Sequence, residues 1–182
     1  NSPEMIDMTL VVFRAATYRP ELPILPGTRW RITTMSTRIA TAADLDDLVP
    51  LFAAYLDFYG VGKPEPQVRA FLAARLQRDD STLLISRNEK ANAQGFVQLY
   101  PLYDSLALRP SFLLSDLYVA EQARRQGIGE QLLEAARQHG LRTGACGLQL
   151  ETARSNEAAQ SLYERLGYVR DAVYLTYRLD LS

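Results

Sequence analysis

The sequence has one cysteine and one histidine in 182 residues. Its apolar runs fall well short of the roughly 18 residues that a membrane-spanning helix requires. The single thiol, Cys146, excludes an internal disulfide framework and suits a reducing compartment, so a cytoplasmic protein is expected. An excess of one charge is also missing: 20 Lys and Arg stand against 21 Asp and Glu, a net charge of −1. That balance leaves no global basic field to gather nucleic acid or an anionic membrane, and any anion must be bound by a local device. A basic N-terminal run ahead of an apolar stretch, the mark of a secretory signal, is absent, and the expectation is an unexported protein. There is no internal repeat and no low-complexity tract.

What is present is a chain of the right length for one core with an appendage. Residues 1–36 carry four of the nine prolines and show no sustained period. They read as an extension, or as an arm packing on the body or on a neighbouring chain. From residue 37 onward the element pattern is clear. A short strand (37–40) precedes a helix capped near Thr41, in which Leu45, Leu48, Leu51, Phe52, Tyr55, Leu56 and Tyr59 recur at helical spacing. A second helix is expected over 65–78 and a strand over 82–86. The turn "NEKANA" leads into a strand over 94–103, and Pro110 precedes another over 111–119. A helix over 127–139 stopped by Gly140, a strand over 146–152, a helix over 156–166 stopped by Gly167 and a strand over 168–179 complete the order β-α-α-β-β-β-α-β-α-β. The fold class is α+β with mixed strand pairing.

The stretch "EQARRQGIGEQLLEAARQHG" (121–140) sets Arg124, Arg125 and a Gly-x-Gly at Gly127 and Gly129 ahead of a helix. Glycines let backbone N–H groups approach a ligand, and the dipole at a helix start favours an anion such as phosphate. Gly-x-Gly alone is also an ordinary turn former. The Walker pattern lacks its Gly-Lys-Ser/Thr here, and the dinucleotide pattern meets Leu132 where it needs a small third residue.

The longer run "LYVAEQARRQGIGEQLLEAA" resembles the coenzyme A signature of the GNAT (N-acetyltransferase) superfamily, and "LQLETARSNEAAQSLYERLGYVR" (148–170) resembles a second block of it. The resemblance covers residues 37 to about 181. It implies a GNAT fold with a central mixed sheet of six to seven strands, about four helices and a V-shaped split between strands 111–119 and 146–152 that admits the pantetheine arm. It implies that main-chain groups of Tyr118, Val119 and Ala120 hold the pantetheine and the acetyl carbonyl. Main-chain N–H groups from Gln126 through Gly127, Ile128, Gly129 and Glu130 to Gln131 cradle the pyrophosphate, aided by Arg124 and Arg125. The implied partners are acetyl-CoA, as acyl donor, and an amine acceptor; no metal is expected.

Acetyl transfer to an amine needs a base, because a lysine-like amine titrates near 10.4, and a proton for the leaving thiolate. In the family a tyrosine near the last helix often gives that proton, and Tyr163 matches it. Asn156, seven residues earlier, falls on the same helix face towards the cofactor cleft. Glu151 matches a glutamate that is the base in some protein-amine acetyltransferases of the family, with Asp116 and ordered water as rivals. Asp116 is alternatively a substrate carboxylate. The family builds its acceptor wall between the first two helices, where Tyr55, Phe58 and Tyr59 would suit a cationic amine. Tyr55 and Tyr59, four apart, also read as core. Cys146 and His139 read as structural.

The activity expected is acetyl-CoA-dependent N-acetyl transfer to a primary amine without a covalent intermediate. The alternative is a non-catalytic acyl-CoA-binding sensor or scaffold. The C-terminal run 171–181, apolar on both faces, needs covering by a partner chain or by residues 8–18, and a homodimer is expected.

Overall fold

The computed structural model describes residues 36–181. The expected N-terminal arm, and the segment 8–18 proposed to cover the last strand, lie outside the described residues. The element order is β1 (Ser36–Ile39), α1 (Leu45–Phe58), α2 (Glu65–Arg78), β2 (Thr82–Arg87), β3 (Ala93–Asp104), β4 (Arg109–Val119), α3 (Ile128–Arg142), β5 (Leu148–Leu150) and α4 (Glu157–Arg165). The five strands form one sheet in sequence order. The first four pair antiparallel and β4 pairs parallel with β5.

Helices pack on both faces of the sheet. The Phe96 ring meets Phe52 of α1 at 5.4 Å. A Cβ at the preceding residue, Gly95, would stand 3.2 Å from Leu132 of α3. Adjacent strand residues point to opposite faces, so β3 is sandwiched between α1 and α3. Phe96, Leu99, Val97, Ile85, Leu48, Leu72 and Leu132 are all fully buried in that core.

An ion cluster ties β1 and the turn leading into α1 to β2. The Asp44 carboxylate accepts Arg38 Nη1 and Nη2 at 2.8 and 2.6 Å, the Thr41 backbone N–H at 2.8 Å and Arg87 Nη2 at 2.8 Å. It is almost wholly buried, and these donors, Arg38 first, hold it well below the usual carboxylate range despite burial. The capped start expected at Thr41 is thus present, as a short turn of 3-10 helix over Ala42–Asp44 that runs into α1.

Two expectations are corrected. Gly140 does not stop α3, which runs on to Arg142; the left-handed residue after it is Gly144, at φ +74°. Gly140 is buried inside the helix, where a Cβ would lie 3.8 Å from Ala145 and Leu148, so it reads as a packing position. The strand expected over 168–179 is absent among the described residues, leaving five strands where six to seven were expected. Asp171 Oδ1 accepts the N–H groups of Val173 and Tyr174 at 2.7 and 2.9 Å, a turn that bends the chain and withdraws both amides from any ladder. Gly167, at φ +90°, follows α4 as anticipated.

Candidate active site

The site is built on β4, and a single extra residue decides its geometry. Gln98 pairs with Asp116 but Leu99 pairs with Leu114, so Ser115 is a bulge. Simple alternation would put Asp116 on the face of Phe112 and Leu114, where Phe112 packs against His139 of α3 with ring centroids 5.1 Å apart. The bulge reverses the phase. Asp116 and Tyr118 now share the face of Gln98 and Phe96, towards α1.

On that face the Tyr55 phenol donates to the Asp116 carboxylate. Burial raises the Asp116 pKa, and hydrogen bonds from Tyr55 and Ser115 oppose the rise. Burial, with Asp116 beside it, pushes the Tyr55 phenol up as well. Tyr55 lies 5.1 Å from the Tyr59 ring and 6.3 Å from Tyr118, and Phe58 stands edge-on to Tyr59 at 5.2 Å. The acceptor-wall residues and Asp116 are therefore one cluster. The core reading of Tyr55 and Tyr59 holds in part for Tyr55, which is half-buried, and is corrected for Tyr59, 60% exposed beside Phe58 at 61%.

Tyr163 is half-buried on α4, its ring 5.8 Å from Tyr168. Burial pushes its phenol up, and Tyr59 adds to the push, which places the end of α1 within electrostatic reach of α4. Asn156 is the N-cap of α4 and not part of the helix body; its Oδ1 accepts the Ala159 N–H at 3.2 Å. Glu151 stands apart from the aromatic cluster. It is exposed just beyond β5, accepts the Thr176 hydroxyl at 3.3 Å, and shares a hollow of about 230 Å³ with Leu113, Leu114, Ser115 and Gln149. A hollow of about 270 Å³ elsewhere, lined by Asp79, Ser81, Thr82, Phe112 and His139 among others, includes none of the predicted groups.

Pairing between β4 and β5 covers Phe112↔Leu148, Leu113↔Gln149 and Leu114↔Leu150, after which β4 continues to Val119. Beyond Val119 the chain makes a 3-10 turn and then the loop of Arg124 to Gly127. Arg125 is at φ 61° and Gly127 at φ 81°. These left-handed steps turn the backbone into α3, and a Cβ added at Gly127 would meet nothing within 4 Å. Gly129 is different: its Cβ would lie 3.5 Å from Leu162 of α4 and 3.9 Å from Val119. Ile128 is buried as the first core residue of α3, and Gln131 N–H closes the first turn on Gly127 O at 3.0 Å. Arg165 of α4 pairs with Glu130 at 2.8 Å. The Gln126 side chain is held by Gln122 O at 3.1 Å. Of the three expected pantetheine contacts, the Ala120 N–H is taken by Gln94 O at 2.8 Å, Val119 O accepts Arg124 Nε at 3.2 Å, and Tyr118 pairs with Phe96 in the β3–β4 ladder.

Sequence reasoning missed two features. One is the Ser115 bulge, whose signal is the polar pair Ser115-Asp116 interrupting an apolar strand. The other is the contact that Arg124, named above only for the anion, makes with two rings: its guanidinium lies 5.8 Å from the Phe58 ring centroid and 5.9 Å from that of Tyr118. No spacing rule announces such a long-range contact.

Comparison with known proteins matches this architecture. The profile described as the Acetyltransferase (GNAT) family matches residues 48–168. An uncharacterised N-acetyltransferase, YhfO of Bacillus subtilis strain 168, is 37% identical over 147 residues, 81% of this chain and 98% of its own. A crystal structure of a probable acetyltransferase, 38% identical, superposes with a TM-score of 0.77 over 81% of this chain and 98% of its own. An aminoglycoside N-acetyltransferase, AAC(6')-Iy, solved in complex with CoA, shares the fold at 22% identity and a TM-score of 0.68, over 80% and 94% of the two chains. The chain belongs to the GNAT acetyltransferase family, and is an N-acetyltransferase.

Proposed function

We propose that this N-acetyltransferase moves an acetyl group from acetyl-CoA directly to a primary amine that carries positive charge. The observation carrying the reading is the Arg124–Gly129 loop. It opens α3 where β4 has outrun its pairing with β5, with Gly127 in a left-handed conformation and clear space over it. That loop fits a diphosphate: backbone can approach closely, the helix start is favourable to anions, and Arg124 and Arg125 add charge. The parting of β4 from β5 beyond Leu114 fits the pantetheine arm, with main-chain groups of Tyr118 and Val119 beside it.

Acetyl-CoA supplies the activated acetyl group. Tyr163 keeps its proton at neutral pH, because burial raises its phenol, and so serves as the donor to a leaving thiolate. Asp116 and Glu151 are the two candidate acceptors of the amine proton. Asp116 is favoured as an acceptor-binding carboxylate, because it sits with Tyr55, Phe58, Tyr59 and Tyr118 in a cluster suited to a cation. Glu151 remains for the base, on the exposed side of the split. A covalent relay through Cys146 lacks support, since the one histidine, His139, is engaged with the Thr82 hydroxyl at 3.3 Å and packed on Phe112. Among the described residues no group of three His, Cys, Asp or Glu side chains is placed to hold a metal, and no helix is long and apolar enough to cross a membrane.

The protein works as a cytoplasmic homodimer in this reading. Support comes from the run 169–181, where Val173, Leu175, Tyr177, Leu179 and Leu181 are all exposed. Thiol release measured over a panel of amines tests the activity. Turnover with any primary amine supports it; CoA binding without turnover on any of them replaces it with an acyl-CoA sensor.

A further inference from the structure

We infer that Arg124 holds two posts: its guanidinium fills a cation seat between Phe58 and Tyr118, and CoA binding draws it to the diphosphate and opens that seat to the amine acceptor. The inference rests on the cationic-acceptor reading above and adds a coupling between the two substrates.

Phe58 is largely exposed at the end of α1, and its ring and that of Tyr118 both lie within the roughly 6 Å over which a cation is attracted to an aromatic face. Arg124 is held there by those two rings and by one hydrogen bond, from its Nε to Val119 O at 3.2 Å. The same rings, with Tyr59 beside Phe58 and the Asp116–Tyr55 pair behind them, are what an acceptor ammonium would use. Arg124 also begins the loop that turns through Arg125 and Gly127 into α3, so a pivot of its side chain about its own Cα suffices to change posts.

Magnitudes favour the exchange. One exposed cation–π contact is equivalent to a factor of roughly two to five in an equilibrium constant, so two contacts amount to about five- to thirty-fold. A charge-assisted, bidentate guanidinium–phosphate pair is stronger than either contact. With a diphosphate on the loop, the anion wins Arg124; without it, an amine must first displace the guanidinium. Binding coupling is reciprocal, so the amine strengthens CoA binding by the same factor.

The test uses CoA itself and two cationic probes, putrescine and ornithine. In NMR spectra of arginine side chains, the Nε–H resonance lost in Arg124→Gln identifies Arg124, and ring-current shielding by Phe58 is removed in Phe58→Leu. Saturating CoA is expected to move the wild-type resonance towards its position in Phe58→Leu; a resonance that stays shielded with CoA bound overturns the inference. By calorimetry, the wild-type protein is expected to bind a probe amine about five- to thirty-fold more tightly with CoA than without. Arg124→Gln is expected to bind it equally in both conditions, while Arg125→Gln weakens CoA yet keeps the coupling. Equal CoA dependence in wild type and Arg124→Gln overturns the inference. If the resonance moves but neither probe binds under any condition, the cationic-acceptor reading fails and the opened seat loses its occupant.

Discussion

Arg165 donates to Glu130 at 2.8 Å, which fastens the helix bearing Tyr163 to the first turn of the helix that Gly127 opens. The loop proposed to bind the donor and the proposed acid are thus joined, with Gly129 close to Leu162 beneath them.

That packing separates two glycine substitutions. Gly127→Val meets open space but must hold φ near +81°, a strain of ~1–3 kcal/mol, and fills the space proposed for the diphosphate. It is expected to keep the fold and abolish the rise in Tm caused by CoA. Gly129→Val pushes into Leu162 and Val119 and is expected to lower the Tm of the ligand-free protein more. A full CoA-induced shift in Gly127→Val would remove the loop assignment.

Tyr163→Phe deletes only the phenolic hydroxyl. CoA affinity by calorimetry is expected to hold within about twofold, while kcat falls by ~10²-fold or more, the scale of positioned acid catalysis. Unchanged kcat sinks the donor role.

Asp116 gives a pH test. Its carboxyl is raised by burial, so ionisation costs stability; the favourable, protonated state is fully present below the unfolded carboxylate range and lost as pH rises through the folded pKa. Asp116→Asn is therefore expected to stabilise the protein at neutral pH and to confer no advantage in acid, as urea titrations at both pH values would show. The same variant is expected to raise KM for a cationic amine at neutral pH. A variant that is less stable than wild type at neutral pH contradicts the first expectation.

Asp44 has the opposite sign. Arg38 and Arg87 depress its carboxyl, so its contribution is complete above the ordinary carboxylate range and is lost as pH falls through the depressed folded pKa. Asp44→Asn leaves Arg87 with Asp47 alone and Arg38 without its partner. A loss near 3 kcal/mol at neutral pH is expected, at the low end for a broken buried pair because Arg38 is half exposed. Denaturant unfolding measures it, and the difference from wild type is expected to narrow only in strong acid.

Light scattering tests the dimer. The wild-type protein is expected to run at twice its chain mass at tens of micromolar, and Leu175→Glu with Tyr177→Glu at the mass of one chain. A wild-type monomer refutes the assembly.

Much of this was legible in the sequence because it is local. The bounds of α2, 65–78, follow from apolar spacing between Pro64 and the left-handed Asp79. The α3 start follows from its glycines, and Gly167 marks the end of α4. What was hidden depends on partners distant in sequence. Gly140 looked like a stop until β5 lay against it. The run 168–179 alternates as a strand should, but Asp171 captures two of its amides. The Tyr55–Asp116 bond joins residues on α1 and β4, and no periodicity along either element reports it.

The Ser115 bulge makes β4 a strand with two clients. Its first half belongs to the α3 core through Phe112 and Leu114, and its second half presents Asp116 and Tyr118 to the aromatic cluster. Were Ser115 drawn into the ladder opposite Gln98, Asp116 would fall on the face of Leu114 and Leu132 and Leu117 would turn towards Tyr55; removal of Ser115 instead leaves Leu114 and Asp116 as neighbours on the opposite faces they already hold. What position 115 contributes is a parity: looped out or removed, it leaves the two clients on their own sides, and only its entry into the ladder would exchange them.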